Sequence, residues 1–212
     1  MFACSRALLL AIVVLPALNG FAQQPTIVNF DFGAVPILCG QGYAYQGQVN
    51  GCAFRVVWPF QNFNATPGFG WAITGIPGPR TGACALTGPG TSFLPPPFDG
   101  LPFSRALALQ GPGSSARQVV EGFTAGLYTL SFYLGSRYSS GQYDGNQIVQ
   151  VLIDGAVIHS WTLTSYTPFS LQTATFTVTT GGSHTLEFRG IRNYDSTAFV
   201  SYVVITRQSV EP

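Results

Sequence analysis

Two short segments in the second half of the chain combine planar aromatic side chains with amide, carboxylate and guanidinium groups. The first runs from Arg137-Tyr138 to Gln142–Asn146, and the second is Arg192–Asp195. An aromatic face packs on the C–H side of a pyranose ring, and such polar groups satisfy sugar hydroxyls whose burial is otherwise costly. The segments therefore predict a glycan-binding site at one rim of the fold. Its candidate ligand-binding residues are Trp71, Arg137, Tyr138, Tyr143, Asp144, Asn146, Asn193, Tyr194 and Asp195, with Trp58 extending the aromatic surface.

Ordinary turn formation is an alternative explanation for the same residues. Asn, Asp and Gly form ordinary turns, and tyrosine is common in strands and at loop edges. Only the co-occurrence of these residue types on two loops favours a ligand site over turn chemistry.

Catalysis has weaker support in the sequence. The titratable candidates are His159 and His184, and there is neither a G-x-S-x-G elbow nor an H-E-x-x-H motif. Asp144 and Asp195 are the only carboxylate pair that the loops suggest for glycoside cleavage, which needs two carboxyl groups at a defined separation. We therefore expect no catalytic residues and no enzyme activity. The remaining acidic partners considered for the histidines are Asp154 and Glu187.

The cysteines predict a disulfide rather than a metal site. Cys39 and Cys52 flank a turn region and are the preferred pair, which leaves Cys84 as a spare thiol, although sequence alone does not settle connectivity. The chain has no C-x-x-C motif and both histidines lie far downstream. We expect no metal ligands among them.

Alternating strands position the candidate loops. In Leu127–Leu134, apolar side chains recur at every second residue, which is the pattern of a half-buried strand. Ile148–Ile153 and Val157–Leu163 flank Asp154-Gly155, a strong hairpin pair. No segment beyond the amino terminus shows helical periodicity, so the sequence predicts an all-β, antiparallel sandwich. Further strands are predicted at Thr26–Phe32, Phe54–Trp58, Phe69–Thr74, Ala106–Gln110, Arg117–Glu121, Ala174–Val178, Leu186–Phe188 and Val203–Ile205.

The order of these segments resembles a known family. Ala108–Gly111, Thr124–Phe132, Val151–Gly155 and Gly182–Gly190 are similar to the galactose-binding-domain-like jelly rolls of secreted bacterial proteins, as is Thr197–Ile205. The similarity covers about 106–206 well and the first half loosely. It implies a jelly roll of a kind often used to bind glycans, without naming a ligand.

The resemblance also implies a structural calcium ion in many relatives. Those relatives carry acidic residues where this chain has Gly33 and Ser201. Calcium needs several oxygen ligands, usually including carboxylates, so we expect no cofactor here. Many relatives also continue into a Pro-Glu-Pro sorting tail with a membrane helix, whereas this sequence ends at Val210–Pro212, which favours a free protein over an anchored one.

Composition and the amino terminus predict where the protein acts. Only 8% of its 212 residues are charged, against about 25% in typical proteins, and lysine is absent. Nucleic acid is therefore an improbable partner, because phosphate contacts need clustered Lys and Arg. Arg6 followed by the apolar run Ala7–Leu18 predicts a signal peptide cleaved after Ala22, and the run is too short for a membrane anchor.

These patterns together predict a signal peptide at 1–22, a single jelly-roll domain at 23–207 and a short tail at 208–212. The expected protein is secreted, periplasmic or at the cell surface, and binds a glycan or cell-surface polymer without catalysis. The alternative is a structural or adhesive protein that acts through protein contacts, with the Pro-rich segment Phe93–Phe103 as its exposed apolar patch. The sequence does not determine the oligomeric state.

Overall fold

The computed structural model describes most of the chain. Several predictions fall on residues that it does not describe: the signal peptide, the Cys39–Cys52 disulfide, and Trp58, Tyr143 and Tyr194. The described residues are 24–34, 43–46, 63–74, 82–91, 93–139, 144–193 and 195–209.

The described residues form eleven strands and one short 3-10 turn, Phe63–Ala65, with no α-helix among them. The strands are β1 Tyr43–Tyr45, β2 Ala72–Ile73, β3 Ala83–Thr87, β4 Ala106–Gln110, β5 Ser115–Phe123, β6 Gly126–Ser136, β7 Ile148–Ile153, β8 Ala156–Thr162, β9 Ser170–Val178, β10 Gly182–Gly190 and β11 Thr197–Arg207.

The strands make two antiparallel sheets that face each other. The first sheet has the order β1-β3-β4-β11-β6-β9, and the second has the order β2-β5-β10-β7-β8. From β4 onward the chain changes sheet at every connection except the β7–β8 hairpin, which is the winding of a jelly roll. The predicted all-β, antiparallel β-sandwich of the jelly-roll type is confirmed.

Alternating side chains of β6 build the centre of the core. Tyr128, Leu130, Phe132 and Leu134 are all buried, while the residues between them are partly exposed. The Phe132 ring lies 4.9 Å from that of Phe188 on the facing sheet. The period-two pattern of the sequence thus identified the core face correctly.

A second apolar cluster lies on the outer face of the first sheet. Phe93, Phe98 and Phe103 are buried there, so Phe93–Phe103 is not the exposed interaction patch that the sequence suggested. The alternation of leucine and alanine in β4 explains the correction, because the leucines fill the main core and the small outward residues leave room for phenyl rings. Three alanines of β3 and β4 belong to this cluster: Ala85, Ala106 and Ala108.

The predicted first strand is a turn instead. Residues 28–31 form a turn, with Asn29 and Phe32 at φ values of 50° and 57°. The side chain of Gln118 accepts a hydrogen bond from Val28 N and donates one to Val28 O, at 2.8 and 2.9 Å. These bonds take the place of a strand ladder, which alternation alone cannot reveal. In the Phe69–Thr74 region only β2 is a strand, and β1 and β3 were not predicted.

Candidate functional site

The two loops singled out in the sequence meet at one end of the sandwich, where β6 and β10 end. Asp144 forms a parallel bridge with Ser196, and its amide lies 3.4 Å from the carbonyl oxygen of Asp195. The amide of Thr197 donates to Asp144 O at 2.9 Å. Backbone hydrogen bonds therefore fix the loops to each other, and we call this end of the molecule the rim.

Gln147 anchors the rim from below. Its side chain is fully buried, its Nε2 donates to Ser196 O at 2.8 Å, and its Oε1 accepts from Arg192 N at 2.8 Å. A buried amide with both ends hydrogen-bonded holds the backbone of the second loop in place. Sequence reasoning missed Gln147, because nothing distinguishes it from an ordinary residue at the start of a strand.

Arg137 joins the two loops through an ion pair. Its Nη1 lies 3.1 Å from Asp195 Oδ1, and the two side chains are 5% and 32% exposed. Its Nε donates to Phe93 O at 2.9 Å, and the guanidinium carbon lies 5.0 Å from the centre of the Phe93 ring. The sequence placed Arg137 among the ligand contacts, but its burial makes it a positioning residue for Asp195.

Asp195 is held from a second side by a chain of hydrogen bonds. Its Oδ1 also accepts from Gln110 Nε2, and Gln110 Oε1 accepts from the Tyr45 hydroxyl. Burial, helped by the negative charge of Asp195, raises the pKa of Tyr45 well above its ordinary value, so Tyr45 remains a donor. Asp195 is therefore a fixed carboxylate with a third of its side chain exposed. Neither Tyr45 nor Gln110 was predicted.

Two tyrosine rings form an exposed corner at the rim. Tyr138 and Tyr166 are 53% and 45% exposed, their ring centres lie 5.4 Å apart, and their planes meet at 84°. The Tyr166 amide donates to Arg137 O at 3.0 Å. We call this pair the aromatic corner. Tyr138 was predicted, whereas Tyr166 was missed because it lies far from both loops in the sequence.

The backbone of Tyr166 is in a conformation that tyrosine rarely adopts. Its φ is 56°, in the left-handed region. Such a conformation costs about 1–3 kcal/mol and persists only where the surroundings impose it. Here Asn146 Oδ1 accepts from Ser165 N at 2.8 Å, and Ser165 Oγ accepts from Ser139 N at 2.9 Å. Strain of this kind is concentrated at functional sites.

The other predicted site residues have varied surroundings. Asn146 and Asp144 are partly buried, and Asp144 Oδ1 accepts from Asn146 N at 2.8 Å. Asn193 is exposed, and its carbonyl accepts from Ser196 Oγ at 3.1 Å. Trp71 is only 2% exposed and its Nε1 lies 3.3 Å from Asn29 O. Trp71 therefore belongs to the core and has no ring face to offer a ligand.

The opposite end of the sandwich carries a histidine–aspartate pair. His184 Nδ1 lies 2.5 Å from Asp154 Oδ2, and its Nε2 lies 2.9 Å from Thr180 O. Both partners only accept hydrogen bonds, so both ring nitrogens carry protons when both bonds form. The bond to Asp154 raises the pKa of His184, consistent with a charged ring. An acid–base role at neutral pH needs a free nitrogen, which this geometry does not leave.

The remaining groups considered for catalysis have structural contacts. Glu187 accepts from Ser115 Oγ and from Arg189 Nε, each at 2.8 Å. His159 is exposed, with its ring 4.2 Å from that of Trp161. Cys84 is a free, buried thiol whose pKa burial raises to about 12, so it is not a nucleophile.

Gly33 and Ser201, the positions where the resemblance implies acidic residues, both lie beside Asp31. Ser201 Oγ donates to Arg105 O at 2.7 Å and lies 3.4 Å from Asp31 O, while Asp31 Oδ1 accepts from Gly33 N. The Ser201 hydroxyl is therefore committed to a backbone oxygen, and Asp31 is the only carboxylate in this group. Among the described residues no group of three or more His, Cys, Asp or Glu side chains is suited to a metal. Within the same residues, no helix has the length and apolar character needed to span a bilayer.

Comparison with known proteins identifies the fold and not the family. No protein-family model matches the chain, and no curated protein matches it by sequence. A Stig cyclase, Fisc, from Fischerella sp. TAU, solved with an indole compound, is 15% identical with a TM-score of 0.58, covering 89% of this chain and 98% of the cyclase.

Two further solved structures extend the comparison. A cyclase from Fischerella sp. TAU in complex with 4-(1H-indol-3-yl)butan-2-one is 16% identical with a TM-score of 0.55, covering 90% of this chain and all of the cyclase. A family 35 carbohydrate binding module from Clostridium thermocellum is 14% identical with a TM-score of 0.40, covering 52% of this chain and 83% of the module. At these identities the similarity to the two cyclases establishes a shared β-sandwich fold and no function.

Proposed function

We propose that this protein is a secreted, non-catalytic binding module that recognises carbohydrate at the rim. The observation that carries the proposal is the aromatic corner of Tyr138 and Tyr166, exposed beside loops that hold fixed polar groups. Secretion rests on the signal-peptide pattern of the first residues.

The aromatic corner favours a single sugar ring over a flat polymer surface. Because the two ring planes meet at 84°, they cannot both lie flat against one extended sheet of sugars. One tyrosine face packs on the C–H side of a pyranose, while the other ring contacts its edge. The proposed ligand is therefore a terminal or branching sugar of a soluble glycan.

The polar groups around the corner are preorganised. Asp195 is held by Arg137 and Gln110, and the second loop is held by Gln147. Binding then orders few side chains, which limits the entropic cost of association. The exposed part of Asp195 and the exposed Asn193 supply hydrogen-bonding groups for sugar hydroxyls. Tyr143 and Tyr194 remain in the proposed site on the sequence pattern alone.

The hydrogen bonds that the rim carboxylates already accept support a non-catalytic role. Asp195 Oδ1 accepts from Arg137 and Gln110, and Asp144 Oδ1 accepts from Asn146 N. A glycosidase needs one carboxyl group that gives up a proton and a second that acts as base or nucleophile. The ion pair with Arg137 and the hydrogen bond from Gln110 instead hold Asp195 in place as a hydrogen-bond acceptor.

The test is a glycan array on the mature protein, followed by titration calorimetry with a positive soluble glycan. Tyr138→Ala and Tyr166→Ala are each expected to weaken binding at least about tenfold, or about 1.4 kcal/mol. Phe30→Ala is the matched control, because Phe30 and Tyr202 form another perpendicular, partly exposed ring pair, 5.1 Å apart at 82°, outside the rim. It is expected to leave binding unchanged.

Three outcomes would contradict the proposal. The first is a mature protein that binds no glycan on the array. The second is binding that both tyrosine variants leave intact. The third is binding of 4-(1H-indol-3-yl)butan-2-one, the compound held by one of the similar cyclases, with no glycan bound, which would favour an enzyme of that kind.

A further inference from the structure

Within the described part of the chain, the two sheets end in four edge strands that differ in how well they are protected. β1 has three residues and β2 has two, which is too short to recruit another strand. β8 carries a bulge opposite Val151 and Leu152. β9 has nine residues and pairs with β6 in an unbroken register from Ser170 to Val178. β9 is therefore the long, regular edge of the molecule.

β9 lacks the devices that natural proteins use to block an edge strand. Charged residues, prolines and bulges serve this purpose, and the sequence of β9, Ser-Leu-Gln-Thr-Ala-Thr-Phe-Thr-Val, contains no charge and no proline. Its neighbour β6 is also free of charged residues. Among the described residues no strand pairs with the outer side of β9.

The second sheet leaves space beside this edge. A groove of about 410 Å³ runs between β8 and β9, with Thr175–Thr179 on one side and Ala156 and Ile158 on the other, and it is closed at one end by Ile153, Asp154 and His184. This stretch of β9 therefore borders open space. Leu171, at the start of the strand, is 56% exposed.

We propose that β9 pairs antiparallel with β9 of a second copy of this chain. This contact joins two six-stranded sheets into one continuous sheet across a two-fold axis. It goes beyond the glycan-binding proposal and does not depend on it, because β9 contributes no residue to the aromatic corner.

The side chains of β9 suit a partner identical to itself. Thr173, Thr175 and Thr177 are exposed on one face of the strand, and antiparallel pairing about Ala174 would place Thr173 and Thr175 opposite each other and Thr177 opposite Leu171. Cross-strand threonine pairs are favourable, and a strand without charge meets no like-charge repulsion from its copy. A two-fold contact pairs the β9 edge of one chain with the β9 edge of the other. No β9 edge is then left free, so the assembly stops at two chains. One strand pair buries a small area, and the dimer is accordingly expected to be weak and to form with rising concentration.

Sedimentation velocity over a concentration series tests the proposal with the mature protein. Wild type is expected to shift from monomer to dimer as concentration rises, and Thr175→Lys, which puts a charge on the exposed face of β9, is expected to remain monomeric. Ser160→Lys is the matched control, because it adds the same charge at an exposed position on β8. It is expected to dimerise like wild type.

A second measurement does not rely on a variant that must fold. Amide hydrogen exchange in β9 is expected to slow as wild-type concentration rises, while exchange in β8 stays unchanged. A wild type that stays monomeric throughout would overturn the proposal, as would Ser160→Lys abolishing the dimer while Thr175→Lys retains it. Growth beyond the dimer without limit, or protection of β9 only on adding an extended peptide from another protein, would also contradict it.

Discussion

Both ends of the sandwich have loops that side-chain interactions fix in place, but the interactions differ in kind. At the rim, the ion pair of Arg137 and Asp195 has one nearly buried member, and Gln147 adds buried hydrogen bonds. At the other end, His184 joins Asp154 to Thr180 near the surface, with Asp154 half exposed. The rim is therefore held by buried groups, whereas the hydrogen bonds at the opposite end depend on the proton of His184.

The two ends also differ in whether the residues that fix the loops are separate from the residues that are exposed. The buried groups of the rim hold still a small exposed surface, the aromatic corner. At the opposite end the charged pair is itself close to the surface, and it links the β7–β8 turn to the β9–β10 turn. Four sets of variants test this difference between the two ends.

Removing the arginine of the rim pair is expected to have the largest effect. Arg137→Ala leaves Asp195 without its cation and Phe93 O without its donor, and should lower the free energy of unfolding by about 3 kcal/mol. Urea unfolding followed by tryptophan fluorescence measures the change. Arg207→Ala, which loses one hydrogen bond to Ala125 O, should cost about 1 kcal/mol. Equal losses in the two variants would show that the rim pair is not special.

Removing the buried amide should cost less, because no charge is left unpaired. Gln147→Ala leaves Ser196 O and Arg192 N without this partner, at a cost of about 2 kcal/mol in unfolding free energy. The amide of Arg192 should also exchange with solvent faster. Gln208→Ala, at an exposed position, should change stability by no more than about 0.5 kcal/mol. Unchanged exchange at Arg192 would argue against Gln147 as the anchor.

Backbone strain at the aromatic corner gives a smaller and more specific effect. Tyr166→Gly and Tyr166→Ala both remove the ring, but only glycine accepts a φ of 56° without strain. The glycine variant should therefore be more stable than the alanine variant by about 1 kcal/mol, while both lose glycan affinity equally. Thermal unfolding and calorimetry measure the two quantities. An alanine variant as stable as the glycine variant would show that the site stores no strain.

The pH dependence of the opposite end should be the smallest effect. The pKa of His184 is raised in the folded state, so its contribution to stability is present at low pH and is lost as the pH rises through the folded pKa. Partial burial alone would raise the pKa of Asp154, but its hydrogen bonds with His184 and Thr185 lower it. The contribution of Asp154 to stability is therefore lost as the pH falls through the folded-state pKa. Both contributions are modest because the pair is near solvent.

Midpoints of thermal unfolding across the pH range test this prediction. Wild type is expected to lose stability on the alkaline side of the ordinary histidine pKa of about 6.5. His184→Gln is expected to show a flatter curve there, and His159→Gln, at an exposed position, is expected to behave like wild type. Identical curves for all three proteins would show that the His184–Asp154 pair does not make stability depend on pH.

Much of the fold was predictable because it depends on local properties. The alternation in β6 and β7 and the Asp154-Gly155 turn predicted strands and a core face that the structure confirms. The turn at 28–31 was mistaken for a strand because a side chain far along the sequence, Gln118, satisfies its backbone. The short strand β1 and the alanine-rich β3 carry too weak a pattern to be predicted.

The pattern of residue types was enough to predict a sandwich of alternating strands and to single out two chemically distinctive loops. Tertiary contacts set which of the candidate side chains face solvent. Arg137 and Trp71 turn inward, and Tyr138 gains Tyr166 as a neighbour. Alternation within a strand depends on neighbouring residues, so the sequence reveals it. The exposure of a loop side chain depends on contacts with residues distant in sequence, such as the Phe93 carbonyl oxygen, which accepts a hydrogen bond from Arg137.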